Sequence, residues 1–404
     1  MRRIDVSQFK VAKRGTSREI NRQIALNLVR TKQPISRADL ARLMDMRRGA
    51  VTLLVNELIA AGLVFEGAKG PSKRGRRPKF LFIDSRRRCV VAIDIRASRT
   101  YMLVTDLLGH PLLDVVEGPT ETQPHIMVRT LAAMVRTTLD AHPAFGTCSG
   151  IGVCVPGMVD RTSRRVMHAP TLGWKDVDLE RPLSQATGLP VHIENSVRAC
   201  ALAQVWEARG DIPTRGDLVF VGVADGVGGG VIVDGRLLRG RHNIAGEIGH
   251  ILVSSDGPRC SCGALGCWET YVSNIATLKR YLGLGSDDTL RELDGSLRVT
   301  DVITRARAGD GKALAALLMT GRYLGLGFAN LVNAFDPDHI YLGGEITQAW
   351  DLIEQTVRTA LSERALIPGT ASPDIIPVPA TDYPRLRGAA VLVTAPEFAA
   401  PVVA

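Results

Sequence analysis

The sequence predicts an α/β body preceded by a small, basic winged helix-turn-helix, and three observations carry that reading. Charge is unevenly divided: residues 1–90 hold 22 Lys and Arg against 7 Asp and Glu, net +15, while the other 314 hold 28 against 34, net −6. Such asymmetry points to nucleic acid or another anionic surface at one end of the chain. Three amphipathic helical patterns and a basic Gly/Pro-rich loop fill the first 85 residues. Beyond them, short apolar runs alternate with helical segments, as in an α/β fold. The 404 residues are 45% hydrophobic and 23% charged, which suits two or three globular domains and excludes global disorder.

In the basic module, Ile20, Ile24, Leu28 and Val29 recur on one helical face. A second helix opens at Ser36, with Asp39 as capping-box partner and Leu40 and Leu43 on its inner side. A third runs from about Arg47 to Ala61, with Val51, Leu54, Val55 and Leu58 inward and Gly62 ending it. The link Met44-Asp45-Met46 has the length of a helix-turn-helix turn. Two predicted strands, Leu63–Glu66 and Lys79–Ile83, flank a loop containing Lys69, Lys73, Arg74, Arg76 and Arg77 among Gly70, Pro71, Gly75 and Pro78. Small residues allow close backbone approach, and the cations release counterions from a phosphate backbone. The candidate DNA contacts are therefore Ser36, Arg47, Arg48, Thr52 and Asn56, with Arg74, Arg76 and Arg77 on the wing. Arg and Asn suit base edges in the major groove.

The body opens with an expected antiparallel hairpin over residues 88–106, a strand, a tight turn and a second strand. Further strands are predicted at Gly150–Val155, before Pro156-Gly157-Met158-Val159-Asp160, and at Val191–Asn195. Helices are expected at Ile126–Leu139 and Ser196–Arg209, and a Gly-rich hairpin within Asp217–Gly235. No apolar run is expected to span a bilayer, and Met1–Thr16 lacks the apolar core of a secretory signal. The cysteine count is odd, so a reducing cytoplasm is expected. Cys89, Cys148, Cys154 and Cys200 are read as core thiols. The remaining three form a pattern with a histidine: His250, nine residues, then Cys260-Ser-Cys262 and Cys267. One His and three Cys match a closed, structural tetrahedral zinc site, with Gly263 and Gly266 allowing a tight fold around it.

These residues resemble the ROK family of repressors, open reading frames and sugar kinases. The likeness rests on Ala245-Gly-Glu247-Ile-Gly-His250 followed by Cys260-x-Cys262-Gly-x-x-Gly-Cys267-x-Glu269. It extends to Pro156-Gly157-x-Val-Asp160, Ile193-Glu194-Asn195, Gly226–Gly230 and Tyr341-Leu-Gly-Gly344, in the family's order. Ile35-Ser-Arg-Ala-Asp-Leu-Ala and Glu57-Leu-Ile-Ala-Ala-Gly-Leu-Val resemble the winged helix of its regulator branch. The resemblance implies an actin/hexokinase-like two-lobed body, residues 86–404, behind a DNA-binding domain at 1–85. The smaller lobe would span about 88–195 plus the C-terminal segment, and the larger lobe about 196–380, with the zinc loop at 250–267. Asn195, Glu247, His250 and Glu269 match sugar-binding positions, so His250 would use one ring nitrogen for zinc and face the sugar with the other.

Kinase chemistry is less well served. Where kinases of the family have an Asp-x-Gly-Gly-Thr phosphate turn, this chain has Asp94-Ile95-Arg96-Ala97-Ser98; where they place a general-base aspartate, it has Ser196; and Asp225 enters a second phosphate loop. A serine hydroxyl is too weak a base for the attacking sugar hydroxyl at neutral pH. Loss of that carboxylate also removes repulsion toward a 6-phosphorylated sugar. The expectation is a non-enzymatic, sugar-responsive regulator, a repressor of carbohydrate genes acting as a homodimer or dimer of dimers. It would bind a double-stranded DNA operator and a sugar or sugar-phosphate effector. A sugar kinase with an appended DNA-binding module, and a regulator controlled by a protein partner, are the alternatives.

Overall fold

In a computed structural model, residues 16–69, 78–160, 162–207, 216–285, 297–366 and 372–398 are described. The N-terminal unit comprises α1 (Thr16–Lys32), β1 (Ile35–Ser36), α2 (Arg37–Leu43), α3 (Arg48–Ala60), β2 (Val64–Lys69) and β3 (Lys79–Ile83). The capping box forms as the spacing requires: Asp39 N–H donates to Ser36 Oγ at 3.2 Å and Ser36 N–H donates to Asp39 Oδ2 at 3.3 Å. Val51, Leu54, Val55 and Leu58 are all buried. Leu43 differs from expectation and is 58% exposed, because α2 ends there and half-buried Met44 fills the inner position as the chain turns at Asp45. Strands β1, β3 and β2 pair antiparallel to make the wing.

The first half of the body contains β4 (Arg88–Ile95), β5 (Arg99–Asp106), β6 (Val116–Pro119), α4 (Pro124–Ala141), β7 (Thr147–Val155), β8 (Met158–Asp160), β9 (Arg165–Ala169), β10 (Trp174–Val177), α5 (Glu180–Thr187) and β11 (Val191–Asn195). The second half contains α6 (Ser196–Glu207), β12 (Leu218–Val223), β13 (Val227–Val233), β14 (Arg236–Leu237), α7 (Glu269–Val272), α8 (Asn274–Leu282), α9 (Val299–Arg307), α10 (Gly311–Phe335), β15 (His339–Gly344), α11 (Trp350–Ser362), β16 (Asp374–Val378) and α12 (Pro384–Phe398).

Among the described residues, two five-stranded sheets repeat one topology, β6-β5-β4-β7-β11 and β14-β13-β12-β15-β16. In each, an antiparallel meander supplies three strands and two further strands add parallel to the first. This duplication is the actin/hexokinase-like arrangement. Helix α12 returns to pack on α6, β7 and β4, so the C-terminal segment sits on the first sheet. Gly152 allows this, since a Cβ there would lie 1.8 Å from the Ala389 carbonyl oxygen.

One core cluster runs through both the winged helix and the first sheet: Leu26, Val29 and Leu40 share it with Val90, Leu103, Leu386 and Phe398. At the joint, Asn27 donates to the Phe398 carbonyl and Arg30 stacks 3.8 Å above Trp206 while donating to its carbonyl. The N-terminal unit is thus docked rather than tethered.

The 25-residue α10 corrects the expectation that no apolar run approaches membrane-spanning length. It has the length and composition to cross a bilayer, yet its apolar stretch is mostly buried against α11 and the second sheet. Its Gly327 admits the ring of Trp268, which is 1% exposed and donates to the Tyr323 carbonyl at 2.8 Å. A Cβ on Gly327 would lie 1.9 Å from the indole. Gly327→Ala is therefore expected to cost about 3 kcal/mol in urea-induced unfolding, because a rigid ring must move within a filled core. Wild-type stability would show that Trp268 has room to shift.

Candidate functional site

On the N-terminal unit, α3 presents Arg48, Gly49, Leu53 and Asn56 to solvent, with Thr52 half-buried and Arg47 exposed as the N-cap. Nothing lies within 4 Å of a Cβ built on Gly49, so the start of this helix can approach a groove closely. The Arg47 side chain makes no capping bond, which leaves the first-turn N–H groups of a 13-residue helix open to a phosphate.

Ser36 leaves the candidate set: it is 4% exposed and its hydroxyl is committed to Asp39 at 2.6 Å. That hydroxyl holds the Asp39 carboxyl below its usual range. Arg74, Arg76 and Arg77 lie outside the described residues. A residue not singled out from sequence, Arg37, braces the surface: it donates to Asn56 Oδ1 at 2.9 Å, to the Thr52 carbonyl at 3.1 Å and to Glu66 Oε1 at 3.1 Å. Helix α3 and strand β2 are thereby fixed to one guanidinium.

In the second lobe, His250, Cys260, Cys262 and Cys267 converge, with their ligand atoms all within 4.8 Å of one another. Cys260 Sγ lies 3.6 Å from His250 Nδ1, and Cys262 Sγ lies 3.6 Å from Cys267 Sγ. Bond lengths of about 2.3 Å to sulfur and 2.0 Å to nitrogen around a tetrahedral ion place ligand atoms about 3.6–3.8 Å apart, so the donor set fits such an ion. The chain folds this tightly because Gly263 and Gly266 have φ of +94° and +67°, and a Cβ on Gly266 would lie 1.6 Å from the Ser254 oxygen. These four residues could hold a metal through His250 Nδ1, leaving Nε2 for another partner.

Glu269 joins this cluster to the Gly-rich hairpin. Its Oε1 lies 3.7 Å from Cys260 Sγ, and its Oε2 accepts from Val227 N–H at 2.8 Å. Gly226 makes room for that carboxylate. Asn195 is more occupied than its sequence suggested: Oδ1 caps α6 by accepting from Val197 and Arg198 N–H, and Nδ2 donates to the Gly157 carbonyl at 2.8 Å. One amide proton remains for a ligand. Glu247 is half-buried at the end of a loop held by Arg198, whose Nη2 donates to the carbonyls of Asn243 at 2.5 Å and Ala245 at 2.9 Å. The same loop reaches the first lobe, where Asn243 donates to Asp160 at 2.6 Å.

Arg198 belongs to a buried charge group with Glu194 and Arg239, which lies 2.6 Å from Glu194. Burial lowers the Arg198 guanidinium, and Glu194 opposes that shift. The only sequence signal for it is an arginine within the apolar stretch Val197–Val205.

At the phosphate-turn position, Arg96 folds back on Asp94 at 2.6 Å and lies 4.4 Å above the Tyr101 ring. The hydroxyl of Ser196 is buried without a hydrogen-bond partner.

The family described as ROK matches residues 90–395, beginning just after the wing. The xylose repressor of Bacillus subtilis (strain 168) is 31% identical over 349 residues, 86% of this chain and 88% of its own. A solved ROK family transcriptional regulator, a homolog of the E. coli MLC protein, superposes with a TM-score of 0.80 at 26% identity, over 95% of this chain and 97% of that one. A ROK family glucokinase from Streptomyces griseus, solved with glucose and AMPPNP, gives 0.63 at 27% identity over 75% of this chain and 98% of that one.

Proposed function

Because the chain belongs to the ROK family, we propose that it is a sugar-responsive transcriptional repressor of carbohydrate genes and not a kinase. The observation that carries this reading is the winged helix, whose α1 shares a core with the first lobe while α3 stays exposed. The MLC homolog and the xylose repressor support it, because they cover 95% and 86% of this chain, more than the stretch 90–395 that the family spans. Arg47, Arg48, Thr52 and Asn56 then meet DNA, with the wing arginines reaching the flanking backbone. Two copies read the two half-sites of a palindrome, as a homodimer or dimer of dimers in the cytoplasm.

A sugar or sugar phosphate binds in the cleft against Asn195, Glu247, His250 and Glu269. Structural zinc on His250, Cys260, Cys262 and Cys267 fixes the histidine's orientation and its tautomer. Binding shifts the lobes only in so far as the effector prefers one arrangement, and α6 and α12 carry that shift to α1. The absent general base and the Arg96–Asp94 pair both favour a regulator over an enzyme.

The test is in vitro selection of DNA bound by the full-length protein, repeated with free and 6-phosphorylated aldopentoses and aldohexoses. One palindromic sequence should be enriched and should be released by one sugar class. Arg48→Ala and Asn56→Ala should weaken that DNA at least tenfold, and binding should fall steeply with salt. ADP release from ATP with any of these sugars, or no enriched sequence, would overturn the reading.

A further inference from the structure

The first sheet carries a pair of thiols that neither the DNA interface nor the metal cluster uses. Cys89 on β4 and Cys148 on β7 are directly opposed in the parallel register, so both side chains leave the sheet on the same face. Adjacent strands lie about 4.8 Å apart, inside the Cα separation that a disulfide spans. Cys89 is fully buried and Cys148 is partly exposed, so only one of the two meets solvent.

The backbone around Cys148 is also specialised. A bulge follows the pair, where Ser149 and Gly150 together oppose the single residue Val90. The Cys148 thiol lies in this bulge, donating to the Gly150 carbonyl at 3.5 Å. The neighbouring Cys89, first, and the local backbone bring Cys148 down to about 7 against the opposing effect of burial, whereas Cys89 is pushed well up, first by its interaction with Cys148. The pair adjoins the only covalent link between wing and body: Thr147 N–H donates to the Arg87 carbonyl at 3.0 Å, and Arg88 lies 3.7 Å from Glu397 of α12.

We infer that Cys89 and Cys148 form an oxidisable dithiol, a redox modification site at the junction of winged helix and body. The Cys148 thiolate attacks a hydroperoxide, breaking the O–O bond to give a sulfenic acid and hydroxide or alkoxide. The Cys89 sulfur then displaces the sulfenic oxygen, forming the S–S bond and releasing water. Two thiols lose two electrons and two protons, and the peroxide becomes water and an alcohol, or two waters from hydrogen peroxide.

The experiment treats full-length, metal-loaded protein with stoichiometric hydrogen peroxide, blocks residual thiols and maps peptides without reductant. A peptide joining Cys89 to Cys148 is expected. In Cys89→Ser, a dimedone-reactive sulfenic acid should accumulate at Cys148, and in Cys148→Ser no cross-link should form. In untreated wild type, iodoacetamide should modify Cys148 at least about tenfold faster than buried Cys154 or Cys200. Recovery of Cys89 and Cys148 as blocked thiols after peroxide, or alkylation of Cys148 no faster than Cys154, would overturn the inference, and both readings need only the wild-type chain.

Discussion

Replacing Cys262 with serine is expected to remove the metal and the sugar response together, while DNA binding without sugar persists. The loop carrying this site is held by short-range backbone bonds, such as Val253 N–H to the Gly266 carbonyl and Gly266 N–H to the Pro258 carbonyl, both at 2.9 Å, and by no regular strand. Between His250 and Trp268 its pairing consists of isolated bridges, Leu252 with Cys267 and Arg259 with Leu265, and Leu252 and Leu265 are 60% and 42% exposed. Apparent binding free energies of structural zinc reach about 10–16 kcal/mol in small peptides, so even a fraction of that outweighs two bridges. Without it, His250 and Cys260 lose their common anchor, and Glu269, 3.7 Å from Cys260 Sγ, loses one of its neighbours. DNA binding should survive because α1–α3 pack on α12 and the first sheet, away from the loop. Metal content, thermal unfolding and sugar-dependent DNA release check this. A metal-free Cys262→Ser protein that still releases DNA normally would refute the coupling.

How much of this was legible in the sequence depended on the range of the interaction. The capping box at Ser36 and Asp39, the inward face of α3 and the His-Cys spacing of the metal cluster are local patterns, and each formed where its spacing placed it. What Ser36 does with its hydroxyl was misjudged for the same reason: a good cap is consumed by its own helix. The bracing by Arg37 and the stacking of Arg30 on Trp206, 176 residues away, join segments that no short-range pattern relates. Resemblance singles out Asn195 but could not reveal that most of its amide is spent on α6 and Gly157. The apolar α10 illustrates the converse, since composition alone cannot separate a core helix from a membrane span.

Arg198→Ala is expected to destabilise the protein by about 3–5 kcal/mol and to weaken sugar binding at least tenfold. The guanidinium is 2% exposed and serves three groups: the Asn243 and Ala245 carbonyls and, at 3.9 Å, Glu194. Its removal strands the carbonyls of half-buried Asn243 and Ala245 and leaves Glu194 paired to Arg239 alone. The loop it releases is the one that ends at Glu247 and reaches Asp160 across the cleft. Gly246, at φ +97°, packs so closely on the second sheet that a Cβ there would lie 2.5 Å from the Gly229 oxygen. Arg198→Met separates two possible roles. It keeps much of the buried volume, so it should unfold at a urea concentration closer to wild type, yet it cannot clip the carbonyls. If Arg198 positions Glu247, the methionine variant binds sugar as poorly as the alanine variant while its DNA affinity without sugar stays unchanged. If Arg198 only fills space, the methionine variant binds sugar like wild type, and the positioning role fails.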